Sequence, residues 1–173
     1  MFKLVIWAGV LFIGYLIFID QPLNKGLPSR STSSNKIVDF NQPQQTLPES
    51  NANNATFHNG VAPLKIKTST VGGNHYFVKI VNLEDKRSIG SYFIRSGESI
   101  DIKVPLGTYE IKYATGTNWY GLNYLFGPDT YYSKADSTFN FTFDGYQYSG
   151  YTIELIMQAD GNLSTSGLKP SQW

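Results

Sequence analysis

From residue 63 onward no window longer than ten residues carries a helical period; apolar and polar residues alternate in short runs broken by turn residues. That pattern excludes helical bundles and coiled coils and calls for strands that each bury one face. Residues 64–67 (LKIK), 76–81 (YFVKIV) and 89–95 (IGSYFIR) are the first three runs. Residues 99–104 (SIDIKV) alternate strictly, and 108–114 (TYEIKYA) follow the turn Pro105-Leu106-Gly107. Residues 138–143 (TFNFTF) put Phe139, Phe141 and Phe143 on one face, and 151–157 (YTIELIM) are the last run. Gly72-Gly73-Asn74, the charged residues 82–87, Ser96-Gly97, Asp144-Gly145 and Asp160-Gly161-Asn162 supply turns between runs. Seven or eight short strands in about 110 residues predict an all-β domain over residues 63–173, an antiparallel β-sandwich or small barrel.

Composition agrees with strands and narrows the chemistry. Aromatic residues make up 15% of the chain and charged residues only 16%. The net charge is +1, and the ten basic and ten acidic residues after residue 63 cancel. A nucleic-acid partner, which needs a basic face, is therefore not expected. The absence of cysteine excludes disulfides, thiolate metal sites and thiol nucleophiles. Two histidines, His58 and His75, do not make a metal set, so neither metal nor cofactor is expected.

Two further regions precede the β-domain. Residues 4–19 (LVIWAGVLFIGYLIFI) are uncharged and span about 24 Å as a helix, slightly short of a ~30 Å hydrocarbon core. Lys3 can snorkel to the headgroups, and Trp7 and Tyr15 suit the interfaces. A cleaved signal peptide needs small residues just after the run, but Ile19 is followed by Asp20-Gln21-Pro22. Residues 1–20 are thus expected to be an uncleaved single-pass transmembrane anchor, with the membrane as partner through residues 4–19. Basic residues on both flanks leave the orientation open. The short N-terminal tail and long polar remainder favour a bacterial inner-membrane protein whose C-terminal domain is periplasmic or extracellular. Residues 21–62 are rich in Ser, Asn, Gln and Pro without any hydrophobic period. They are expected to be a disordered tether whose roughly 40 residues reach roughly 35 Å.

Residues 76–114 have a specific order: strand, charged turn, strand, Ser96-Gly97-Glu98-Ser99, strand, then Pro105-Leu106-Gly107-Thr108-Tyr109 leading into the next strand. This resembles the PEGA and carboxypeptidase-regulatory-like (transthyretin-like) β-modules, whose hairpins carry a Pro-x-Gly-x-Tyr turn. The resemblance implies a β-sandwich, a non-catalytic role and a place outside the cytoplasmic membrane. Asn118-Trp119-Tyr120-Gly121, residues 125–130 (LFGPDT) and residues 132–136 (YSKAD) depart from those modules. They resemble an uncharacterised family of bacterial membrane-anchored proteins, which implies no activity.

Fourteen of the 26 aromatic residues lie between Tyr109 and Tyr151, and residues 116–135 interrupt the strand rhythm. Trp119, Tyr120, Tyr124, Tyr131 and Tyr132 are candidates for a stacking platform that takes a sugar ring or a peptide; the alternative is that they are core. Asp129, Lys134 and Asp136 flank that loop. They are candidates for orienting a polar ligand, or the two carboxylates for an acid–base pair. The alternative is that Asp129 caps a turn and Lys134 pairs with Asp136. The expected function is a membrane-anchored, extracytoplasmic, non-catalytic binding or envelope-assembly module for an envelope glycan, peptide or protein. The alternative is an envelope hydrolase acting on glycan or peptide through those carboxylates.

Overall fold

A computed structural model describes residues 40–155 and 165–173. The expected anchor over residues 4–19, the first half of the expected tether and the Asp160-Gly161-Asn162 turn lie outside the described residues. Among the described residues no helix is long and apolar enough to cross a membrane.

The described chain is all-β, with nine strands: β1 (Ala62–Thr68), β2 (His75–Asn82), β3 (Ser88–Ile94), β4 (Ser99–Val104), β5 (Gly107–Gly116), β6 (Tyr131–Ala135), β7 (Phe139–Phe141), β8 (Tyr151–Leu155) and β9 (Thr165–Gly167). They form two sheets in a sandwich-like arrangement. The smaller has the order β4-β1-β8 and the larger β3-β2-β5-β6-β9, with β7 paired to the first residues of β5. The alternating apolar residues meet between the sheets. Leu64, Ile66, Ile100 and Ile153 from the smaller sheet share one buried cluster with Val78, Ile80, Ile94 and Ile111 from the larger. The polar residues between them face solvent and pair across strands. Lys65 lies opposite Asp101 and Lys67 opposite Glu154, with ion-pair distances of 2.9 and 3.0 Å. Exposed pairs of this kind contribute little stability but reinforce the register.

The turn before β5 behaves as its sequence suggests. Gly107 takes φ 147, and Tyr109, buried, folds back so that its hydroxyl donates toward the carbonyls of Pro105 (3.3 Å) and Leu106 (3.4 Å).

Four expectations are corrected. The pairing is not purely antiparallel, because β8 runs parallel to β1; both strands set out from the end of the domain where Ala62 faces Val104 and Gly107 faces Phe141. Two strands, β6 and β9, arise from stretches without apolar alternation. Phe143 does not continue the Phe139–Phe141 face. It lies beyond β7 in a hairpin, exposed and with its ring tilted against that of Tyr148 at 4.7 Å, where Asp144 Oδ1 accepts the backbone N–H groups of Tyr146 and Gln147. Finally, residues 40–61 are not a free tether. The N–H groups of Asn51, Asn54 and Thr56 donate to the carbonyls of Phe93, Ser91 and Ile89, and the Phe93 N–H returns a bond to Ala52. This strap covers the edge of β3. Backbone hydrogen bonds tie it to β3, and its few apolar side chains, Leu47, Ala55 and Phe57, pack at irregular spacing, which is why its composition reads as linker.

Candidate functional site

In β2 and β3 the runs Tyr76-Phe77-Val78 and Tyr92-Phe93-Ile94 break alternation because both faces of the larger sheet are covered. Phe77 and Phe93 lie opposite each other in the register and point away from the smaller sheet. There they pack with Ala114 of β5 and with Trp119, Leu125 and Phe126 from the β5–β6 connection. Trp119 is 3% exposed, with ring centroids 5.0 Å from Phe93, 5.8 Å from Phe77 and 5.4 Å from Phe126. Gly116 sits directly beneath the Phe126 side chain, where no Cβ would fit.

The connection folds tightly to deliver these rings. The Tyr120 N–H donates to the Leu125 carbonyl and the Leu125 N–H to the Gly121 carbonyl, both at 2.7 Å. This places Leu125 at φ 49, a strained backbone for a non-glycine residue that burial of its side chain offsets. Thr130 holds the following turn: its Oγ1 accepts from the Phe126 N–H and donates to the Gly127 carbonyl at 2.7 Å.

The strap forms the opposite wall. Gln45 donates its backbone N–H to the Trp119 carbonyl at 2.8 Å, and Leu47 packs on the aromatic cluster. Arg95 clamps the strap from the end of β3. Its guanidinium donates to the carbonyls of Pro48 (2.9 Å) and Leu47 (3.1 Å) and to the Glu49 carboxylate (2.8 Å). Between strap and connection lies an open cleft of about 240 Å³. Its floor is Phe77, Phe93 and Trp119, and its rim includes Gln45, Asn53, Asn54 and Ser91. No lining residue is charged.

The expected aromatic platform is dispersed. Trp119 is in the buried cluster and meets the cleft with little exposed surface. Tyr120, half-buried, meets the Phe40 ring edge-on at 4.9 Å, and Tyr124, 45% exposed, meets the same ring at 5.8 Å. Tyr131, 76% exposed, stands at the start of β6, and Tyr132 packs on Trp173 at 5.2 Å.

The polar candidates do not converge either. Asp129 is exposed in the short turn before β6 and Asp136 lies just after β6. A five-residue strand at about 3.3 Å per residue puts roughly 15 Å between them. That is too far for one acid–base pair across a bond. Lys134 pairs with Glu110 at 3.2 Å rather than with Asp136, which accepts a hydrogen bond from the Ser166 hydroxyl. Glu110 also faces Lys112 at 3.7 Å. Lys112 in turn donates to the Gln172 carbonyl at 2.7 Å, and the Lys79 ammonium lies 4.3 Å from the centre of the Trp173 ring. Burial, reinforced by Lys112, pushes the Lys79 ammonium below the usual lysine range. The charged half of this outer face is thus capped by the chain's last residues, and the uncharged half carries the cleft.

Sequence reasoning missed Phe77, Phe93, Asn53, Asn54, Ser91 and Gln45. A signal existed for the first two, since three consecutive apolar residues in a strand indicate two buried faces. No side-chain pattern marks the strap. Comparison with family models, curated proteins and solved structures finds no match for the chain.

Proposed function

We propose that the chain is a membrane-anchored, extracytoplasmic, non-catalytic binding module whose ligand-binding site is the cleft between the strap and the β5–β6 connection. One observation carries the reading: a concave aromatic floor with an amide and hydroxyl rim, built from three separate segments on a rigid sheet. The anchor and export rest on the run at residues 4–19. A role outside the cytoplasm also agrees with the resemblance of residues 76–114 to PEGA and transthyretin-like modules, and the Tyr109 side chain folded over its turn supports that resemblance. The separation of Asp129 from Asp136 disfavours the hydrolase alternative.

Ser91 provides the test. Its side chain lies on the outer face of β3, opposite Lys79, and Phe at this position fills the cleft beside Phe93 without entering the inter-sheet core. Full-length chain in phosphatidylcholine nanodiscs is screened by ligand-observed NMR against glycan and peptide fragments of bacterial cell wall. The wild type is expected to broaden the signals of at least one fragment, and Ser91→Phe to abolish the effect with its melting temperature unchanged. Binding undiminished in Ser91→Phe, or no binding fragment at all, would overturn the assignment.

A further inference from the structure

We infer that the cleft takes a single uncharged sugar ring, one unit at the end or side of a glycan; this rests on the binding role proposed above and specifies its ligand. The lining contains no cation or carboxylate, so a charged group entering it would lose its water without gaining a counter-charge. The ion pair between Arg95 and Glu49 is not part of the lining, and each partner already neutralises the other. An uncharged ligand remains.

The rim decides between a sugar and an apolar side chain. The amides of Gln45, Asn53 and Asn54 each carry both donors and an acceptor, and Ser91 adds a hydroxyl of both kinds. Among the described residues, neither the Asn54 amide nor the Ser91 hydroxyl makes a side-chain hydrogen bond within the protein. An apolar side chain would cover these groups and leave them unpaired. A pyranose ring matches both surfaces, because its C–H face lies against the apolar carbon of Pro48, Ala52 and Leu122 above the buried rings while its edge hydroxyls donate and accept in turn. The volume of about 240 Å³ lies below that of usual ligand pockets and suits one ring rather than an extended chain.

The test uses full-length chain in phosphatidylcholine nanodiscs and saturation-transfer NMR with three probes at equal concentration. These are methyl β-N-acetylglucosaminide, glucuronic acid and N-acetyl-leucine amide. Transfer to the ring protons of the glucosaminide is expected, at least tenfold above that to either other probe. It is expected to fall at least tenfold in Ser91→Phe and several-fold in Asn54→Leu, whose exposed site tolerates the change if Ser91→Phe fails to fold. Transfer to the leucine amide or the uronic acid as strong as to the glucosaminide, lost in the same variants, would overturn the sugar assignment and leave the cleft as a binding site. Sugar transfer unchanged in both variants, or no transfer to any probe, would overturn both.

Discussion

Trp119 illustrates how one residue can be read in two ways. In sequence it stands in a loop among tyrosines, where an indole suggests a binding surface. In the structure it is the keystone of the second core, in contact with Phe77, Phe93 and Phe126. Trp119→Ala is therefore expected to cost about 3–5 kcal/mol, read as a lower urea midpoint with an unchanged slope. A variant as stable as the wild type would return Trp119 to the surface. His75 makes a second residue-scale case. Its Nδ1 accepts the Ser96 N–H at 3.1 Å and its ring stacks on Phe93, so this arrangement requires that nitrogen unprotonated. Burial, with Arg95 adding to it, holds the His75 imidazole below its ordinary value of about 6.5. A lowered folded-state value means that the unfolded chain takes the proton first. His75's contribution is thus complete above about pH 6.5 and declines as the pH falls toward the folded-state value. Melting curves from pH 7.5 to 5 are expected to show a smaller loss for His75→Gln than for the wild type. Parallel losses would remove His75 from the account.

Among the elements, the strap depends most on a single side chain. Arg95 makes three of the contacts that hold residues 47–49, while Asn51 and Asn54 dock on β3 through backbone bonds and Thr56 through both its N–H and its hydroxyl, which donate to the Ile89 carbonyl. Because Glu49 is largely exposed and screened, Arg95→Ala is expected to cost only about 1–2 kcal/mol. Its sharper effect is local: proteolytic cleavage near residues 45–50 becomes faster while the sheets stay intact. Cleavage at the wild-type rate would show that backbone pairing alone secures the strap. The contrast between strap and strands explains what the sequence made legible. β1 and β4 bury one face against a single partner, so their period of two is visible in Leu64-Lys65-Ile66 and Ile100-Asp101-Ile102. β6 and β9 join an existing sheet edge with Tyr131-Tyr132-Ser133 and Thr165-Ser166-Gly167, where pairing rather than burial selects the strand. The candidate site was least legible, since three of its four named rim residues come from the strap and two of its three floor residues, Phe77 and Phe93, sit within strands.

For the whole molecule, the second face of the larger sheet is what distinguishes this domain from a plain sandwich. One half is filled by the aromatic cluster and the strap, the other by Lys79, Lys112, Lys134 and Glu110 beneath Gln172 and Trp173. The cleft lies where strap and connection meet over Phe93, so the cleft and the order of residues 40–56 stand or fall together. Hydrogen exchange on the full-length chain in nanodiscs tests this most directly. The amides of Asn51, Asn54 and Thr56, bonded to β3, are predicted to be protected at least a hundredfold over an unstructured chain. Exchange of these three amides at the unstructured rate, with the sheets still protected, would contradict the account and return residues 40–61 to the role of a tether.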